Sequence, residues 1–360
     1  MEDEIREIDS HHGLVLEYID DLSADPHLAE SYSKACSWLK WWNVKKALQV
    51  ANECLLDSNT PGQRIALLVF VNNCLLLDGA LAKAEDGYLE ALKASREADD
   101  VVAMIPGLNN LGIIYRARGW HGRAMHYHKV VVRLCKECVV RRGEAVQLSN
   151  MGLIYQDMQQ AESALSCYER ALTAYRDCGS RWGEATLLGN IGVAYQEMRQ
   201  PDEAMGHFKH SHKIFTEIHD NQGQAAQLGN MGTVCRHKWG LDKALEYYQE
   251  ALTVFQSMGN RWKQSALMSE IGHVCRLKGQ LDESLGWHQS ALELEKVMQS
   301  HRGEADQLAN MALVQQLQGD MDKADRLYRQ ALEIYTWLGD SYKVEMIKQN
   351  VRIGTRKLKS

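Results

Sequence analysis

The segment Gln147-Leu-Ser-Asn-Met-Gly-Leu-Ile-Tyr155 decides the reading of this chain, because it comes back. Its counterparts are Leu187-Leu-Gly-Asn-Ile-Gly-Val-Ala-Tyr195, Gln227-Leu-Gly-Asn-Met-Gly-Thr-Val-Cys235, Leu267-Met-Ser-Glu-Ile-Gly-His-Val-Cys275 and Gln307-Leu-Ala-Asn-Met-Ala-Leu-Val-Gln315, each starting 40 residues after the one before. One period earlier stands Gly107-Leu-Asn-Asn-Leu-Gly-Ile-Ile-Tyr115. Self-similarity at a fixed period marks a chain of repeated supersecondary units. Within one unit Leu148, Met151, Gly152 and Tyr155 fall at i, i+3, i+4 and i+7, one face of a helix.

The second half of each unit repeats as well. One column reads Ala84, Ala124, Ala164, Ala204, Ala244, Ser284, Ala324. Four residues later stand Tyr88, His128, Tyr168, Phe208, Tyr248, His288, Tyr328, and three further on Ala91, Val131, Ala171, Ser211, Ala251, Ala291, Ala331. This spacing is a second helix, in which small residues admit a neighbouring backbone and one ring fills the gap. Polar turns separate the halves, with Gly79, Gly119, Gly240, Gly279 and Gly319 near the end of the first helix. Asp202, Asp242, Asp282 and Asp322 lead the second, where negative charge suits a helix N-terminus. A lone hairpin cannot bury its apolar face, but stacked hairpins can.

These columns resemble the tetratricopeptide repeat. The resemblance covers residues 25–340, as about eight hairpins. A first degenerate unit at 25–58 places Ala35, Trp38, Ala47 and Ala51 in the small-aromatic-small slots, and residues 341–360 form a basic capping helix and tail, with Met346, Val351 and Ile353 as its apolar part. The implied fold is all-α, a right-handed superhelix. Two departures stand out. The period is 40 against the usual ~34, and the family's proline near the end of the second helix is replaced by a Gly-Glu joint at Arg142-Gly-Glu144, Trp182-Gly-Glu184 and Arg302-Gly-Glu304. This long form is similar to repeats in the Pins-like, G-protein-signalling-modulator scaffolds and in bacterial and archaeal signalling proteins.

Composition narrows the function. A net charge of −6 argues against a nucleic-acid binder. Nine scattered cysteines, an odd number inside helical patterns, point to a reducing compartment, hence the cytoplasm. There is no apolar run long enough for a membrane span. Residues 1–25 hold nine acidic side chains against Arg6 alone, and residues 341–360 hold six basic ones against Glu345. Both ends read as solvated; the sharper alternative for the first is an acidic arm, residues 1–24, folding back into the groove as a switch.

Candidate chemistry is thin. Cys135-Lys-Glu-Cys138, with His121, His126 and His128 upstream, is one knuckle where a structural zinc site needs two, and it runs along one predicted helix. Cys235 and Cys275 take slots held by Tyr elsewhere and read as core. No cofactor and no catalytic constellation is expected. Nine tryptophans are many for such a chain; most are expected at turns and joints, with Trp182 and Trp262 in equivalent joints.

The resemblance implies that first helices line a concave groove that binds a protein or peptide. The expected groove residues are Asn110, Asn150, Asn190, Asn230 and Asn310 (Glu270 in the remaining repeat), with Gly189 and Gly229 just before the ladder and Arg116, Arg236 and Arg276 as readers of negative charge. A carboxamide carries a donor beside an acceptor and can pair with any peptide group. Mid-helix glycine costs about 1 kcal/mol against alanine, so at 189 and 229 it leaves room for a ligand. Two readings of the asparagines are open, a partner clamp or bonds that hold one repeat to the next. The slots that grip a chaperone's terminal carboxylate in related co-chaperones are Pro106, Asn109, Val146, Ser149, Thr186, Gly189, Ala226 and Gly229 here; none is basic, which argues against that class of partner.

Overall fold

The computed structural model describes residues 30–31, 33–36, 44–58, 60–77 and 80–357, with side chains to residue 351. The acidic segment 1–25, Trp38, Trp41, Trp42, Gly79 and the side chain of Ile353 lie outside it. Two compact units follow one another, residues 1–198 and 199–360. The first holds α1 (Val44–Leu56), α2 (Pro61–Leu77), α3 (Leu81–Glu97), α4 (Val101–Ala117), α5 (His121–Glu137), α6 (Arg141–Asp157), α7 (Ala161–Asp177) and α8 (Arg181–Glu197). The second holds α9 (Pro201–Glu217), α10 (Asn221–Lys238), α11 (Leu241–Ser257), α12 (Arg261–Leu277), α13 (Leu281–Val297), α14 (His301–Gln318), α15 (Met321–Trp337) and α16 (Ser341–Lys357). The described residues are helix and turn throughout, an all-α solenoid in which, within each unit, each helix packs on its neighbours in sequence. Even-numbered helices are the first helices of the repeat and odd-numbered ones the second.

The 40-residue period is two beats of 20, a 17-residue helix and a three-residue linker. The linker at 178–180 shows how. Ser180 N–H donates to Tyr175 O at 2.9 Å and Gly179 N–H to Arg176 O at 3.0 Å, the Schellman closure of α7. Ser180 then caps α8, its hydroxyl accepting from Gly183 N–H at 3.3 Å. One residue thus ends one helix and begins the next. The closure needs a left-handed residue, and the sequence expectation of glycine after first helices alone is too narrow. Asp99, Val139, Gln159, Arg199, His219 and Gln299 hold that conformation beside Gly119, Gly179, Gly259, Gly279, Gly319 and Gly339, so both kinds of linker use it. Gly240 lies one residue off the beat, at φ 108°, after the 18-residue α10.

Small residues admit rings, as the columns imply. A Cβ on Gly232 would stand 2.7 Å from Tyr248 Cε1, and one on Gly112 2.6 Å from His128 Nε2. The Gly-Glu joints admit the end of the preceding second helix. A Cβ on Gly183 would meet the Tyr175 ring, one on Gly143 Cys135 Sγ and one on Gly303 the Glu295 carboxylate; the Gly-Gln step at Gly223 takes the Phe215 ring. The leading aspartates tie repeats together: Asp202 accepts from Lys238 Nζ at 2.5 Å, Asp242 from Lys278 Nζ at 2.6 Å and Asp282 from Gln318 Nε2 at 2.7 Å.

Helix α16 covers the last hairpin. Val344, Met346 and Val351 pack there, but the fully buried residue is Ile347, which the sequence reading passed over. Cys235 and Cys275 are buried, as expected. Cys135 is in α5 and Cys138 lies just beyond its end, so the two are not on one helix; among the described residues no His, Cys, Asp and Glu side chains gather as a metal site. No described helix is long and apolar enough to cross a membrane. Trp120, at a turn, stacks on Tyr115 at 5.7 Å, while Trp262 and Trp337 stand largely in solvent, 53% and 72% exposed.

Candidate partner-binding face

First-helix residues meet their counterparts one repeat on. In the first unit a chain of amides runs along α2, α4 and α6. Asn110 donates to Asn73 Oδ1 at 2.7 Å and to Tyr88 OH at 3.1 Å, and accepts from Asn109 at 2.9 Å. Asn109 Oδ1 in turn accepts from Gln147 Nε2 and Asn150 Nδ2, each at 3.0 Å. The chain ends on His128, whose Nδ1 lies 2.7 Å from Gln147 Oε1. A carboxamide oxygen only accepts, so Nδ1 carries the proton. His128 is fully buried and Nε2 has no partner; burial holds its pKa below the usual value.

The ladder is therefore not uniform. Asn110 is buried and its amide protons serve the array. Asn150 spends one proton on Asn109, and Asn230 one on Gln227 at 3.3 Å. Asn190 and Asn310 are partly exposed and have no hydrogen-bond partner among the described residues. Position 73 explains the difference. It carries Asn in the column that continues Ile113, Leu153, Val193, Thr233, His273, Leu313, so Asn110 meets an amide at that position of the preceding first helix, where Asn190 has Leu153 one repeat earlier. Gly229 is partly exposed, and a Cβ there would touch only Leu267 Cδ2, at 3.6 Å; Gly189 is buried.

The arginines also differ. Arg116 is held by Asp157 through two bonds, at 2.5 and 3.2 Å. Below it Gln156 donates to Glu197 at 3.1 Å and accepts from Tyr168 OH. In the second unit Arg236 and Arg276 both face His273 Nε2, at 3.5 and 3.4 Å, and Glu270 is 3.7 Å from Arg236. Guanidinium groups only donate, so the shared nitrogen is unprotonated. Burial first, then Arg276 and Arg236, bring the His273 pKa down to about 4.

The family model for the tetratricopeptide repeat matches residues 144–217, 183–257 and 263–336. No curated protein matches the chain. Among solved structures, a Rap protein complexed with competence and sporulation factor has a TM-score of 0.58 at 11% identity, over 92% of this chain and 98% of that one. The apo form of RapI has 0.56 at 16%, over 77% and 99%. A signal-transduction ATPase of the STAND class from Pyrococcus horikoshii, with a tetratricopeptide-repeat sensor, has 0.58 at 14%, over 86% of this chain and 52% of that one. At these identities the likeness is one of fold. The family matches together take in more than half of the sequence and fall on the hairpins marked out by the glycine and aromatic columns, so the chain belongs to the tetratricopeptide-repeat family.

Proposed function

We propose that the chain is a protein-interaction adaptor, taking an extended or short helical segment of a partner on the open face of its first helices. The observation that carries this reading is that Asn190 in the first unit and Asn310 in the second have carboxamides with no hydrogen-bond partner among the described residues. A mid-helix amide that holds no neighbouring repeat can pair with an incoming peptide group. Asn150 and Asn230, each with one bond made, lie in the same column, and the open space at Gly229 supports approach of a backbone. The nine cysteines are free thiols, in keeping with work in the cytoplasm. Pull-down from lysate with the wild type beside Asn190→Ala and Asn310→Ala tests the reading. Partners should weaken on these variants while their helicity is unchanged; full retention by both would refute it.

A second reading is a regulatory sensor, in which a signalling peptide on this face changes an effector contact. Its support is the Rap fold, known in complex with competence and sporulation factor. The long period and the Gly-Glu joints resemble those of Pins-like scaffolds, and on that resemblance the effector would be a G-protein or cell-polarity partner, without the motif-bearing tail of those scaffolds in this sequence. Partner-induced protection spreading beyond the face in hydrogen exchange would favour it over a passive adaptor.

A further inference from the structure

In the second unit the charges of Arg236 and Arg276 are out of balance. Arg276 is partly buried, and burial lowers its pKa, yet it has no carboxylate partner among the described residues. Arg236 keeps 17% of its side-chain surface in solvent, and its Nε is buried without an acceptor. The two guanidinium groups share one neutral imidazole nitrogen at 3.4–3.5 Å, at the long edge of hydrogen bonding. A partly dehydrated cation costs free energy unless it is paired. Glu270 is the carboxylate beside Arg236, at 3.7 Å, with Oε2 short of any hydrogen bond among the described residues. Glu270 stands where the other repeats put asparagine, in the repeat flanked by both arginines.

We infer that Arg236, His273 and Arg276 form an oxyanion site on this face, with Glu270 as a placeholder counterion that the partner's carboxylate or phosphoryl group displaces. The inference rests on the peptide-binding reading for the source of the oxyanion, but the site itself does not. Planar guanidinium forks suit bidentate oxygens. The free Nε of Arg236 supplies the donor that Glu270 leaves idle. Arg116, already paired with Asp157 at two points, has no such vacancy, so the charge preference belongs to the second unit.

Two measurements separate the site from the reading beneath it. In the full chain, titration with inorganic phosphate followed by NMR should shift the Arg236 Nε–H and His273 ring signals saturably. Arg236→Gln with Arg276→Gln should abolish the His273 shift. Glu270→Gln should tighten the anion about tenfold, the effect of one charge-assisted contact. No saturable shift, or a Glu270→Gln variant of unchanged affinity, overturns the site. An array of ten-residue peptides then compares Glu, phosphoserine and Gln at one position. Preference for the anionic peptides that vanishes in the double variant assigns the oxyanion to a partner chain and says which kind. Peptide binding indifferent to charge overturns the assignment alone, whereas absence of any peptide binding, beside a saturable phosphate shift, overturns only the peptide reading.

Discussion

Gly152 lies beneath Tyr168 so closely that a Cβ on it would stand 2.2 Å from the ring's Cε1. The two residues stand on the two helices of one hairpin, and the same pairing recurs at Gly232 and Tyr248. Helix propensity alone would make Gly152→Ala stabilising by about 1 kcal/mol. Here the added methyl must push a fully buried ring, so the variant is expected to lose about 1–3 kcal/mol. Gly229→Ala, with only Leu267 nearby, is expected to raise the melting temperature. Thermal unfolding of the two variants should give opposite signs.

Val139 is a β-branched residue at φ 60° and is 75% exposed. Its side chain gains little from packing, and the left-handed backbone costs about 1–2 kcal/mol for a non-glycine residue. Val139→Gly should therefore stabilise the protein by about 1 kcal/mol, read as a higher melting temperature. A lower one would mean that the linker is held by the side chain.

Acid should destabilise the fold through its histidines. Burial is the main cause that lowers the pKa of His128, His273 and His288 from the ordinary 6.5, and His273 comes down to about 4. Above pH 6.5 these residues are neutral whether folded or unfolded. As pH falls below that, the unfolded chain takes up protons that the folded one resists, so stability declines between pH 6.5 and about 4. Melting temperature against pH checks this; a flat profile over that window would contradict it.

The asparagine column should split in two on mutation. Asn110→Ala leaves Asn73 and the fully buried Tyr88 without their shared partner and should cost about 1–3 kcal/mol. Asn310→Ala, removing a side chain with no hydrogen-bond partner among the described residues, should stay within about 0.5 kcal/mol of wild type. Chemical denaturation of both variants tests the split.

How much of this was legible in the sequence follows from what each feature depends on. The hairpins were, because Gly152 and Tyr168 each recur in a fixed column and local periodicity carries the helices. The 20-residue beat was readable too, in Asp100, Ser180, Asp220, Asn260, Ser300 and Asp340, whose side chains cap first helices. It was missed because half of the left-handed residues before the caps and second-helix starts are not glycine. Asn110 and Asn190 look alike in sequence. What divides them is whether Asn73 or an apolar residue stands one repeat earlier, a contact between helices 37 residues apart. The idle guanidinium pair depended on distances among Arg236, Glu270, His273 and Arg276 that no column of residue types conveys.

The measurement closest to the central claim is the affinity of a captured partner segment for the Asn310→Ala variant, by calorimetry, with the melting temperature taken on the same sample. The account predicts binding several-fold weaker, as for one lost hydrogen bond, at an unchanged melting temperature. Unchanged affinity, with the segment still bound on the second unit, would show that the open amides of the first helices are not what the partner reads.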